Sequence, residues 1–437
     1  MPARRRVAPS AFFLACAVLL LRAQALDLVA PPAAPADPGD LRVLMERPVV
    51  KAALSHLSEH YDRMVQDLET ITEIPAPPFK EQTRAKYFAE RLRELGLKDV
   101  HIDEEGNAVG IRPGSGNGPT LALGAHLDTV FPEGTDTRVK KKGTVYSAPG
   151  IGDNTHGLAV LLALIRALEA AQVRTLGDII FVGDVGEEGL GNLRGIRYLF
   201  EKSPLRRRIS MFVALDGLGD TSITNGGVAS RRYRVTYRGP GGHSYGAFGS
   251  VNPAFAMAAT VARFSRFRVP RTPKTTFNVG LYGGGTSVNS IPSSVWMEVD
   301  MRSESPLELA KLEQHFLRAV AEGVAEENRA RSTVHGRIVA EPRLVGERKG
   351  GLTPATSPIV EMAIAVTGAL GKKPDLRYGS TDANVPIGMG LPALTIGSGG
   401  NGGRAHSLDE WVDVDKATTL PGLRRALLLA LALVGVE

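Results

Sequence analysis

Short apolar runs at 121–125, 179–185, 211–215 and 392–396 punctuate this chain, and each ends at or shortly before a residue that favours divalent metal. In order these are His126, the pair Glu187 and Glu188, Asp216, and His406. Such continuous apolar runs of strand length predict strands buried on both faces. Between them lie helical patterns. From Ala53, the apolar positions Leu54, Leu57, Tyr61, Met64, Leu68 and Ile71 alternate at spacings of three and four, which predicts an amphipathic helix. Segment 80–95 reads as a second helix closed by Gly96, and 158–171 and 194–201 as two more. Strands alternating with helices predict an α/β fold, a mostly parallel sheet with helices on both faces. In such a sheet ligands bind beyond the carboxyl ends of the strands, so imidazoles and carboxylates placed there collect along one edge.

The texture changes between about 231 and 345. An alternating strand (232–237), a helix (253–267), two strands (275–282 and 295–302), a helix (307–328) and a strand (334–340) give a β-α-β-β-α-β order. That is the ferredoxin-like arrangement of a small inserted lid domain. The α/β pattern then resumes with a helix at 358–370, the 392–396 strand and a terminal helix from Pro421. The reading is therefore a catalytic domain in two parts, 46–230 and 346–437, with the lid at 231–345. The apolar tail 426–436 is too short for a membrane anchor and ends in a charge, so it is read as a docked core helix.

The N-terminus alters the global picture. Arg4, Arg5 and Arg6 precede an apolar stretch at 11–21 and then Ala23-Gln24-Ala25, the pattern of a secretory signal over 1–25. Eleven apolar residues fall short of the roughly 20 that span a bilayer. Export to a secreted or periplasmic location is expected, with a Pro- and Ala-rich flexible leader over 26–45. The segment holds four arginines, no acid and the only cysteine, so its removal lowers the formal charge from +6 to +2. The remaining basic runs, 140–142 and 206–208, are short and lack interleaved aromatics, so a nucleic-acid partner is not expected. Without Cys16 the mature chain has no thiol, which excludes disulfides and cysteine-bound metal. Too little apolar sequence precedes Cys16 to make it a lipid-anchor site.

Seven segments in succession resemble the signatures of the M20 metallopeptidases, the group that includes carboxypeptidase G2, aminoacylase and peptidase T. They are His126-Leu127-Asp128, Gly152-Asp153-Asn154, Gly186-Glu187-Glu188-Gly189, Asp216, Gly241-Gly242-His243-Ser244, the run from Gly284 to Pro292, and Ala405-His406-Ser407. The resemblance extends from about residue 50 onward and implies that Asp153 bridges two zinc ions. Glu188 and His406 would complete one site, His126 and Asp216 the other. Carboxylate and imidazole donors without thiolate suit zinc, cobalt or manganese. The resemblance also implies a cis peptide at Asp153-Asn154. Asp128, two residues beyond a ligand histidine, would accept that imidazole's other N–H. Glu187 is the expected general base, because water held between two cations ionises near neutral pH and a neighbouring free carboxylate can take its proton. By resemblance His243 supplies the oxyanion donor, reaching across a homodimer formed through the lid. Asn289 and Arg302 hold the substrate and its carboxylate, and Thr381-Asp382-Ala383-Asn384 forms a substrate-binding loop. The implied substrates are small peptides or N-acyl amino acids. One departure stands out: His156 occupies the third place after the bridging Asp, where many members carry a basic residue.

Two other enzymes and one non-enzyme compete with this reading. Gly242-His243-Ser244-Tyr245-Gly246 fits the nucleophile elbow of a serine hydrolase, with Asp382 and His406 following in the required order. The half-polar strand before it argues against a buried elbow. His56-Leu57-Ser58-Glu59-His60 fits a one-zinc protease pattern on a helix, but no third ligand is assigned. A secreted binding protein on a degenerate hydrolase scaffold would be expected to lose a ligand or the base, and here all are present.

Overall fold

The computed structural model describes residues 40–437. The signal segment and the leader up to residue 39 lie outside the described residues. The end of the leader is not a flexible strand of chain: Leu41–Glu46 is a helix, and Leu41 is buried in the main core.

The larger sheet has nine strands. Its middle runs Ile179–Asp184, Leu121–His126, Met211–Leu215 and Ala393–Ile396, side by side and parallel. All four are buried along their whole length. Alternate residues feed two cores, with Leu121, Leu123, Phe181 and Val213 on one face and Ala122, Ile180, Val182 and Phe212 on the other. The expectation of a mostly parallel sheet holds only for this centre. Ala108–Arg112 and Lys98–Ile102 extend one side antiparallel, and Ser222–Gly227 with Gly351–Leu352 extend the other, so the sheet is mixed. On the first side a short connection joins Lys98–Ile102 to Ala108–Arg112, and neighbours so joined pair antiparallel. Ser222–Gly227 is polar and glycine-rich, so its composition conceals a strand that is nevertheless buried throughout.

The helical stripe at 53–71 is carried by two helices, Pro48–Glu59 and Tyr61–Thr72, which break at His60. The terminal helix starts earlier than Pro421, at Lys416, where the Asp415 side chain accepts from the Thr418 N–H at 3.1 Å. By length and composition Lys416–Val434 could cross a membrane, but 78% of that window is buried inside the protein, where it packs as a core helix.

The smaller sheet has four antiparallel strands in the order Thr275–Gly284, Ser294–Ser303, Ala229–Arg238, Val339–Arg348. Helices Pro253–Phe264 and Pro306–Ala330 cover one face, against which Val295, Met297, Val299 and Met301 are buried. Trp296, Glu298, Asp300 and Arg302 point the other way. The last strand is displaced from its expected place at 334–340. It runs to Arg348, past the boundary drawn at 345. Pro342 and Gly346 disguise it: Pro is tolerated on an edge strand, and the register slips between Leu344 and Gly346.

Candidate metal centre and active site

Because the four central strands are parallel neighbours, their carboxyl ends open on one edge, and the loops leaving them bring the acidic and imidazole side chains together. Asp153 stands at the centre. Its Oδ1 lies 3.0 Å from Nε2 of His126, and its Oδ2 lies 3.1 Å from Nε2 of His406. His406 Nε2 is also 2.9 Å from Glu188 Oε1, and Asp216 Oδ1 is 4.0 Å from His126 Nε2. Donor atoms of His126, Asp153 and Asp216 lie within 4.8 Å of one another, as do those of Asp153, Glu188 and His406. One carboxylate thus offers an oxygen to each of two imidazoles, with a further carboxylate on either side. This donor set fits two divalent ions that share Asp153.

Glu187 also falls within reach of His126 and Glu188. Its carboxylate is taken by a cation: Arg348 Nη1 donates to Oε1 at 2.8 Å and, at 3.0 Å, to the Ser380 hydroxyl, while Nη2 donates to the Glu187 carbonyl. A guanidinium in that position competes with ligation by the same group, and Glu187 also lines the cleft. Burial pushes its pKa up to about 8 against the pull of Arg348, and Asp216 is likewise raised by burial and by Asp153. Burial disfavours the charged form of His126, yet Asp128 and Asp153 hold its pKa well above the ordinary value.

The carboxylate of Asp128 has a different partner from the one expected. His126 Nδ1 faces the Asp128 carbonyl oxygen at 3.1 Å, whereas the carboxylate is 3.7 Å away. Asp128 Oδ1 and Oδ2 instead accept the N–H groups of Glu187 at 3.0 Å and Glu188 at 2.9 Å. Asp128 clamps the loop that carries Glu187 and Glu188. Glu410, which the sequence reading passed over, does the same for the other loop, accepting from Gly150, Gly152 and Asp153 N–H at 3.0, 2.7 and 2.8 Å. The only hint of it in the sequence is an acid four residues after His406. An Asp128→Asn side chain offers one acceptor oxygen to two N–H groups. It is expected to weaken divalent-metal binding roughly 10–100-fold, measured by competition with a chromophoric chelator, with little change in the folded circular dichroism spectrum.

The Asp153–Asn154 peptide is cis. His156 is buried behind this loop, with Nδ1 2.7 Å from the Ser398 hydroxyl, and burial lowers its pKa to about 4. It is a core group and lies outside the cleft. The unfolded chain protonates His156 near 6.5 and the folded chain only near 4, so the depressed value costs stability as pH falls through that window, up to about 3 kcal/mol. His156→Gln is expected to flatten this part of the stability profile in urea unfolding measured from pH 7 to 4.

A cleft of about 380 Å³ is lined by Asp153, Glu187, Glu188, Asp216, His406 and, from the smaller sheet, Arg232, Arg302 and Arg348. Arg302 Nε donates to Asp300 at 2.8 Å, leaving its outer nitrogens directed elsewhere. His243 and Asn289 are not in this cleft. Both are exposed on a two-stranded flap where Gly242–His243 pairs with Ser290–Ile291. Thr381 and Asp382 do not form a cleft wall either. Asp382 is buried beside Asp184, where the two carboxyl groups lie against each other, and Ser380 is the member of that loop that reaches the cleft.

The rival motifs dissolve in three dimensions. Among the described residues no hydrogen bond joins Ser244, His406 and Asp382; His406 is held by Asp153 and Glu188. His56 and His60 lie with tilted rings, centroids 4.1 Å apart, in a surface hollow, and among the described residues neither falls in a His and carboxylate grouping able to hold a metal.

Residues 122–429 match the sequence pattern of peptidase family M20/M25/M40. The chain belongs to this family. It is a metal-dependent hydrolase in a family whose members act on peptides or N-acyl amino acids. A succinyl-diaminopimelate desuccinylase of Leptothrix cholodnii is 26% identical, covering 79% of this chain and 92% of that protein. A Pyrococcus abyssi protein is 34% identical over 138 residues, which span 36% of its own length. Among solved structures, aminopeptidase PepT of Bacillus cereus superposes with a TM-score of 0.68 at 23% identity, over 85% of this M20 chain and 97% of PepT.

Proposed function

We propose that this M20 hydrolase cleaves the amide bond of small peptides or N-acyl amino acids with two zinc ions, for which cobalt or manganese can substitute. His126, Asp153 and Asp216 would hold one ion, and Asp153, Glu188 and His406 the other. The observation that carries this reading is Asp153, whose two carboxylate oxygens face His126 and His406 separately. Bound there, the ions supply Lewis acidity and lower the pKa of water. Glu187 takes the proton of the attacking water and delivers it to the departing amine. Arg302 pairs its free fork with the substrate carboxylate. A desuccinylase and an aminopeptidase among the similar proteins support amide substrates on either side of the exopeptidase and deacylase divide.

His243 and Asn289 complete the site from a second copy in this proposal. Just after the flap strand Gly242–His243, Tyr245 and Phe248 are each 88% exposed, and Tyr282 on the Thr275–Gly284 strand is 74% exposed. Exposed aromatic side chains of this kind support an association face here. The Arg-rich, apolar N-terminal segment supports export to a secreted or periplasmic location.

The test is a screen of the zinc-loaded mature chain against N-acetyl-methionine, glycyl-leucine and benzoyl-glutamate. Turnover of at least one, abolished by chelator and restored by zinc or cobalt, is the expected result. Activity that persists in dialysed material without stoichiometric metal overturns the proposal.

A further inference from the structure

The carboxylate of Glu187 receives a single hydrogen bond among the described residues, and it comes from the smaller sheet. Arg348 is the last residue of the Val339–Arg348 edge strand and pairs with Ser230, near the start of Ala229–Arg238. Gly351–Leu352 already belongs to the larger sheet. Both passages of the chain between the two sheets therefore run past Arg348, which sits at the pivot. Its side chain is buried, and its fork grips the Glu187 carboxylate, the Glu187 carbonyl and Ser380 together. Two further contacts bind the same loop to the smaller sheet: Arg232 Nη1 to the Gly189 carbonyl at 2.8 Å, and Glu347 N–H to Asn192 Oδ1 at 3.0 Å.

We infer that Arg348 is a positioning residue that fixes the aim of the Glu187 carboxylate into the cleft and makes that aim depend on how the smaller sheet is seated. A carboxylate held at its side-chain oxygen and its own backbone carbonyl by one planar group cannot rotate without breaking that fork. The guanidinium cannot move without the strand that ends in it. Lysine, a point charge with no planar fork, cannot span both oxygens in the same geometry. The inference rests on the reading of Glu187 as the base.

The experiment uses the full zinc-loaded chain and whichever of the three amide probes the wild type cleaves fastest. Arg348→Met is expected to lower kcat about 100-fold, the cost of a misplaced reacting group, with KM and zinc content unchanged. Millimolar guanidinium is expected to restore part of the loss. In a Glu187→Gln background Arg348→Met is expected to cost nothing further, because the group it aims is already disabled. A wild-type kcat in Arg348→Met, or a loss that adds in full to that of Glu187→Gln, overturns the inference. Should Arg348→Met not fold, Arg348→Lys decides: a folded Arg348→Lys protein with wild-type kcat overturns it, and lowered kcat at unchanged KM supports it. A fully active Glu187→Gln protein would instead overturn the catalytic reading itself, so the two failures are distinguishable.

Discussion

Glu187→Gln is expected to lower kcat by about 10³-fold while zinc content stays at the wild-type level. The amide keeps an oxygen for Arg348 Nη1, now 2.8 Å from Oε1, so the loop retains its anchor and the fold is preserved. On the proposed mechanism what is lost is the lone pair that would accept the proton of the attacking water, and general-base removal costs roughly 10²–10⁴ in rate. Burial and the surrounding acids Glu188 and Asp216 already raise the proton affinity of this carboxylate, which is the property a base requires. Elemental analysis beside steady-state kinetics separates the two roles open to Glu187, which lies within reach of His126 and Glu188. If zinc falls together with kcat, Glu187 is a ligand and the assignment of the base is wrong.

Asp153→Ala is expected to empty both ion sites, whereas His126→Ala empties one. Each oxygen of Asp153 faces a different histidine, so its deletion removes a donor from both groupings at once. The loss of affinity should exceed the roughly 10–100-fold cost of losing a supporting partner. Metal per chain, measured on the two variants after dialysis, gives the answer. Equal loss of metal in both variants would show that the ions bind independently of a shared carboxylate.

Much of this site was legible before any coordinates. His126, Glu187, Glu188 and Asp216 stand at or just past apolar runs, and strand ends in an open sheet are where such side chains converge. The antiparallel flanks were harder to see, because Ser222–Gly227 is buried by its neighbours and not by its own apolar character. Arg348 escaped notice for a related reason. An edge strand interrupted by Pro342 and Gly346 has no clear alternation, so the sequence pattern does not extend the strand to its last residue. Glu410 and the carboxylate of Asp128 act on backbone N–H groups, contacts that leave no mark in residue spacing. The loop at Thr381 and Asp382 looked like a substrate wall by resemblance, yet packing turned it inward and left Ser380 at the surface of the cleft.

The order and chemistry of residues by themselves determined which side chains can bind metal, that they follow central strands, and that the chain belongs with the M20 hydrolases. Those are local properties, carried by hydrophobic period and donor type. Only the tertiary structure decided which oxygen of Asp153 meets which histidine, that Arg348 from the smaller sheet grips Glu187, and that His243 and Asn289 stand outside the cleft of their own chain. These depend on how distant segments pack, and a linear pattern does not encode the angle at which two sheets meet.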